Sequence, residues 1–409
     1  MKALRGITNG RVRGQAGAVE IAFSDDGRIA RVGARLRLGR GAGVLDARGG
    51  LVSPVFVDPH LHLDLAYTAD LVPRNESGTL IEAIRLWAEF KKQVKPKEVV
   101  PRAVRAVQAE VAFGTGAIRT HVDVGTAAGL RLCEGVLEAR QRCRAICDIQ
   151  VAAFPQDGIL RDPGAFEQMR RAMAMGCDVV GGIAHNERTD GDSRRHIDKL
   201  FELAAEHDAD IDCHIDETDD PASRCTEYLA AQTIAAGWQG RVTASHVCAL
   251  ASYDDVHARK VVDLLAEARV HVITNPQVNL HLQGRYDGYP RRRGLTRVRQ
   301  LLAAGVNVAA GQDCICDPFY PLGTGQMLDV AHTLVHADHL SAPDQIEQAY
   351  DCVTTRAAGA MRLADYGIRP GAAANLVILP VADAREAIRQ RPVPTHVLKN
   401  ARLLVRGSD

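Results

Sequence analysis

Short apolar segments rich in Val, Ile and Ala recur through the middle of the chain, each followed by a longer stretch with helical spacing of its apolar positions. The apolar segments are "GLVSPVFVD" (50–58), "AIRTHVDV" (117–124), "DIQVAAF" (148–154), "DVVGGIA" (178–184), "ADIDCH" (209–214), "RVTASH" (241–246), "RVHVIT" (269–274) and "VNVAAGQD" (306–313). Between them lie amphipathic stretches such as "LIEAIRLWAEFKKQVK" and "ASRCTEYLAAQTIAAG". Strands alternating with helices signal parallel pairing through crossover connections. Eight of them predict an α/β fold of the (β/α)8 TIM-barrel type rather than an open sheet. The flanks read differently. "AVEIAFSDDGRIARVGARL" near the N-terminus, and "ANLVILPV" and "THVLKNARLLV" near the C-terminus, are strand-like with turn signals between them. The two terminal segments, 1–49 and 366–409, are expected to form one small β-domain beside a catalytic barrel over residues 50–365.

Charge and composition narrow the partner. Lys and Arg number 50, Asp and Glu also 50, and no long block of one sign occurs, so the chain carries no electrostatic footprint for nucleic acid or an anionic membrane. No window approaches the roughly 20 uncharged apolar residues of a membrane span, and "MKALRGITNGRVRG" lacks the apolar core of a signal peptide. Ten cysteines without a CxxC pair suit reduced thiols, and the expectation is a soluble cytoplasmic protein with a small, weakly charged ligand.

Barrels of this type do their chemistry at the C-terminal ends of the strands, and the histidines fall there. Strand one ends in "VDPHLHLD", with His60 and His62. Strand five ends at His214, with Glu217 three residues on; strand six ends at His246 and strand eight at Asp313. Residues two apart on a strand share a side, so His60 and His62 can grip one ion together. Three imidazoles and a carboxylate suit a divalent transition metal, Fe2+ or Zn2+, with one position open for water. Any one of these histidines alone is more simply a structural residue; their coincidence at strand ends argues otherwise. A two-metal site closed by a carboxylated lysine would need Lys after strand four, and "GGIAHNERTD" has none. One metal ion per chain is therefore expected. His121 and Asp123, ending strand two, are assigned orientation of the ligands only.

The segments "HLHLD", "CHIDETDD", "TASH", "NPQVNLHLQGRYDGYPRRRG" and "DPFYPLGTGQM", with "ESGTL" and "AFPQDGI" in the same order, resemble the cytosine deaminases of the amidohydrolase superfamily from about residue 50 to 375. The resemblance implies a mononuclear iron or zinc deaminase, a barrel with a small β-sandwich, and a homo-oligomer. It assigns the metal to His60, His62, His214 and Asp313, and the work on substrate and water to Glu217 and His246.

Hydrolytic deamination requires a proton acceptor beside the nucleophilic water and a donor to ring N3. Asp313 suits the first role and Glu217 the second, with His246 orienting the nucleophile. Gln156, just past strand three, can donate and accept along one edge of a cyclic amide. Phe154 and Phe319 are expected to sandwich the ring. Where this chain has Cys314 the cytosine deaminases usually have a second aspartate, and where it has Phe319 they usually have tryptophan. Both differences enlarge the pocket toward C5, which points to 5-methylcytosine with cytosine as a poorer substrate. Other N-heterocycles, namely an N-alkyl triazine, creatinine or a pterin, are the alternative substrates, and a non-catalytic metal-binding scaffold is the remote alternative. The basic run Arg291–Arg293 reads as a solvated or subunit-contact loop, and Asn186 and Glu187 have no assigned role.

Overall fold

The computed structural model describes residues 4–39, 41 and 43–406. Eight strands run in one sheet in sequence order: Phe56–Leu61, Thr115–Asp123, Asp148–Phe154, Val179–Ile183, Asp210–Ile215, Val242–His246, His271–Thr274 and Val308–Ala310. All seven pairings between neighbours are parallel. The barrel closes where Leu61 bridges Asp313 in parallel. There the Asp313 amide donates to the His60 carbonyl at 2.7 Å and the His62 amide to the Asp313 carbonyl at 3.0 Å. The expected barrel is present, and its closing seam is built from the candidate metal ligands themselves. Strands one, two, four and six are buried at every residue, because one face fills the barrel and the other lies under helices.

Two boundaries differ from the sequence reading. The apolar run over 50–58 is two strands, since Leu51–Pro54 leaves the barrel to pair antiparallel with Leu376–Leu379, and only Phe56–Leu61 enters it. The run over 306–313 contributes only Val308–Ala310, after which the chain packs tightly at Gly311 against His60 and Asn275 and turns through a left-handed Asp313 (φ +67°).

The terminal segments form two four-stranded sheets. One orders Ile29–Gly33, Val19–Phe23, Gly6–Gly10 and Val44–Asp46, with the last pair parallel; the other orders Arg402–Arg406, His396–Lys399, Leu376–Leu379 and Leu51–Pro54. Ile7, Val19, Ile21, Ile29, Val52 and Leu398 pack between them in a core of their own.

One helix covers the mouth of the barrel. Leu80–Phe90 starts at Thr79, whose side chain accepts from the Glu82 amide. Leu80, Ile84, Trp87 and Lys91 recur at helical spacing along its inner stripe. At the far end of that stripe Lys91 is fully buried and donates to Asp123 and Asp157, while Trp87 Nε1 donates to Asp123 at 3.0 Å.

Candidate active site

Three imidazoles meet at one point. Nε2 of His214 lies 3.1 Å from Nε2 of His60 and 3.1 Å from Nε2 of His62, and Oδ1 of Asp313 lies 3.5 Å from both of the latter. The outer contacts set the tautomers. The Ser245 hydroxyl donates to Asp212 (2.7 Å), so it accepts from His60 Nδ1 (3.0 Å); His62 Nδ1 donates to the His121 carbonyl (3.2 Å). Both rings therefore present bare Nε2 lone pairs to the centre. Burial, followed by the charge of neighbouring imidazoles, pushes His60 and His214 far below the usual histidine range, and burial takes His62 down to about 3. Burial, then the charges of Glu217 and Asp317, drives the Asp313 carboxyl well above its usual range. Neutral nitrogens with converging lone pairs beside a carboxylate fit a divalent cation, which would relieve the cost of ionising Asp313 there. Strand four ends with Ile183 in the cavity wall, a side chain with no donor for a second ion.

His246 stands beside this cluster with its Nε2 4.0 Å from Asp313 Oδ2. Asn279 Oδ1 accepts from the Asn275 amide (3.2 Å), which turns its Nδ2 to donate to His246 Nδ1 (2.9 Å). His246 thus carries its proton on Nε2, facing Asp313. Glu217 Oε1 lies 3.5 Å from His246 Nδ1, and burial pushes the Glu217 carboxyl up to about 8. A carboxylic acid that stays protonated at neutral pH inside an apolar wall is a proton donor. His246 and Val247 both have positive φ (+73° and +51°), strain concentrated at the end of strand six.

The cavity over these groups is lined in addition by Gln156, Cys314, Phe319, Leu80 and Ile84. Cys314 Sγ is 3.8 Å from Asp313 Oδ1. Phe154 takes a different place from the one expected. It stacks on the His214 imidazole (centroids 4.3 Å, planes 26° apart) and does not line the cavity, because the last residue of strand three points at the histidine cluster. His121 reaches Asp212 with Nε2 at 3.4 Å and packs on His60, whereas Asp123 holds the covering helix through Trp87 and Lys91. The basic loop is stapled to itself and its surroundings, Arg292 on Asp287 and Arg293 on the Ala337 carbonyl, with Tyr289 exposed.

Sequence reasoning missed Ser245, Asp212, Asn279 and Lys91. Asp212 was visible in principle, since it sits two residues before His214 on the same side of strand five. Asn275 and Asn279, four apart in "NPQVN", offered a weaker signal; Lys91 offered none.

An eight-stranded parallel barrel with a His/Asp cluster at its C-terminal mouth defines the class, an enzyme scaffold whose cluster can hold a divalent cation. The chain belongs to the amidohydrolase family, whose profile matches residues 43–407, and the resemblance to cytosine deaminases holds at family level. A solved structure of 5-methylcytosine deaminase from Klebsiella pneumoniae, liganded with 5-fluorocytosine, is 38% identical with a TM-score of 0.95, covering 99% of this chain and 98% of that one. N-isopropylammelide isopropyl amidohydrolase of Pseudomonas sp. (strain ADP) is 30% identical over 88% of each chain. Pterin deaminase of Rhizobium rhizogenes is 31% identical over 88% of this chain and 82% of its own. The protein is a hydrolase of this family. Among the described residues no helix is long and apolar enough to cross a membrane.

Proposed function

We propose that the protein is a cytoplasmic homo-oligomer that hydrolytically deaminates a cytosine-type aminopyrimidine, 5-methylcytosine to thymine first and cytosine to uracil more slowly. His60, His62, His214 and Asp313 would hold one Fe2+ or Zn2+ per chain, which would supply the Lewis acidity that makes water a nucleophile near neutral pH. Asp313 accepts the proton of the attacking water as its oxygen bonds to C4. Glu217 delivers its proton to N3, and His246 Nε2–H orients the nucleophile against Asp313. The proton held by Asp313 then passes to the exocyclic amino group as the C4–N bond breaks and ammonia leaves, and the C4 hydroxyl returns its proton to Glu217 as the carbonyl forms. Gln156 pairs with one edge of the ring, and Phe319 lies on its face.

The observation that carries the choice of substrate is Cys314. Its thiol is buried in the cavity wall beside Asp313, where a weakly polar group makes apolar contact with a methyl that would partly desolvate a carboxylate. The likeness to 5-methylcytosine deaminase supports the same reading. A methyl in a fitted pocket is worth about 1–3 kcal/mol, so cytosine is expected to have ~10- to 200-fold lower kcat/KM. Ammonia release is measured for both pyrimidines in the wild type and in Cys314→Asp. The variant should swing toward cytosine; an unchanged ratio removes Cys314 from the specificity argument.

A second reading has its own support. Beyond Leu80, Ile84, Ile183 and Glu217 a further compartment opens, lined by polar groups including His185, Arg188 and Asp190. A bicyclic pterin or an N-alkylated triazine would extend into it, as the two curated relatives suggest. Adding these compounds separates the readings, with ammonia release measured for the pterin and alkylamine release for the triazine.

A further inference from the structure

The loop that carries Gln156 is held by a buried carboxylate that takes no part in the reaction described above. Glu187 follows strand four in the segment "HNER", with its side chain fully enclosed. Its Oε1 accepts from the amides of Ile159 (2.6 Å) and Leu160 (3.0 Å) and from His196 Nδ1 (2.8 Å), and its Oε2 from the amide of Arg161 (3.0 Å). His196 lies in the helix Asp190–His207 and accepts the Ile183 amide on Nε2 (3.1 Å), so its proton is on Nδ1 and it reaches Glu187 as a donor. One carboxylate gathers four donors, three of them consecutive backbone amides of one loop.

The neighbouring residue works on the same loop. Asn186 Nδ2 donates to the Gln156 carbonyl at 3.1 Å, and Arg161 returns two hydrogen bonds to Asn186 at 2.7 and 2.8 Å. Gly158 between them has φ +92°, and a Cβ there would sit 2.8 Å from Glu187 Oε1, so the carboxylate lies directly against the turn. Ile183, at the other end of the His196 link, is itself in the cavity wall.

We propose that Glu187 is the positioning residue for Gln156, fixing the 156–161 loop so that the Gln156 amide meets one edge of the substrate ring. The proposal rests on the reading of Gln156 as a substrate-binding group. Glu187→Gln places an NH2 where only acceptors fit, and the unmatched donors release the loop. A plain structural staple would lower stability without any coupling to Gln156.

The test is a double-mutant cycle on the metal-loaded enzyme with its best substrate, using Gln156→Ala, Glu187→Gln and the double variant. Each single variant should raise KM about 10-fold or more with kcat within about threefold, the signature of lost uniform binding. The double variant should bind no worse than Gln156→Ala, because the released loop has nothing further to lose. Asn186→Ala, which removes the bond to the Gln156 carbonyl and one of the two from Arg161 and keeps the carboxylate, should raise KM a few-fold with the same non-additivity, and it carries the test if Glu187→Gln does not fold. Raised KM in Gln156→Ala together with full additivity, or with Glu187 and Asn186 variants that lower Tm and leave KM unchanged, overturns the positioning role alone. An unchanged KM in Gln156→Ala overturns the binding role of Gln156 and this proposal with it.

Discussion

Glu217 is the residue whose environment most directly sets its chemistry. Burial raises its carboxyl to about 8, so below that pH it carries a proton that it can donate, in the proposed reaction to N3, and above it the donor is lost. In the wild type kcat/KM should therefore fall as pH rises past about 8. Glu217→Gln should keep its metal and its Tm, lower kcat by ~10² to 10⁴-fold, and flatten that alkaline limb. A variant with metal retained and kcat unchanged would place the proton donor elsewhere. At this scale the sequence displayed the donors and hid their supports. His60 and His62 announce themselves by their spacing, and His214, His246 and Asp313 by closing apolar runs in the sequence. Ser245 and Asn279, which decide where the protons sit on His60 and His246, are ordinary polar residues until the fold brings them within 3.0 Å.

The covering helix Leu80–Phe90 depends on one buried cation. Lys91 joins Asp123 at the end of strand two to Asp157, the residue after Gln156, so helix, strand and substrate loop meet at a single ammonium. Lys91→Met leaves Asp123 charged and buried without a counter-charge, a class of change that typically costs about 3–5 kcal/mol. Thermal unfolding should show that loss, and Lys91→Met/Asp123→Asn should recover part of it because no uncompensated charge then remains on strand two. Equal Tm for Lys91→Met and the wild type would show that the pair contributes nothing net. Among the elements, the eight strands were legible because parallel barrel strands are short apolar runs between turn signals. The break after Pro54 was not, since a continuous apolar run has no period to show where one sheet ends and another begins. The early end of strand eight was hidden for a different reason. "AAGQD" continues the strand pattern, and only the close approach of His60 to Gly311 bends it away.

The barrel as a whole gathers titratable groups of two opposing kinds at one mouth. Burial holds Asp58, Asp64 and Asp317 near 7 and Glu217 near 8, while it presses His60, His62, His214 and His246 well below their usual range. The acids ionise near pH 4 in the unfolded chain, so the folded state binds more protons between about 4 and 8 and stability falls as pH rises. The histidines act in reverse: their contribution is complete above about 6.5 and is lost as pH falls below it. Above about pH 6.5 only the acids still act. The metal-stripped protein should therefore lose Tm steadily from pH 6.5 to 8, and the metal-loaded protein less, because a cation favours the ionised Asp313. Scanning calorimetry of the chelated and reloaded protein reads both slopes, and a Tm that climbs through that interval would show these acids already ionised in the fold.

The seam between strands one and eight also imposes an order in time. Asp58 and Gln312, joined across it, are 254 residues apart in the chain. At typical rates of synthesis the second emerges from the ribosome on the order of 10 to 50 s after the first. Throughout that interval the nascent protein displays His60 and His62 on the edge of an unclosed sheet, with the complementary carboxylate not yet made. Ring closure and completion of the candidate ligand set coincide, so a divalent ion held by His60, His62 and His214 would gain Asp313 only when the last strand arrives, and without an ion the final joint would rest on the hydrogen bonds of the Asp313, His62 and Gln312 amides, the last of them to the Asp58 carboxylate.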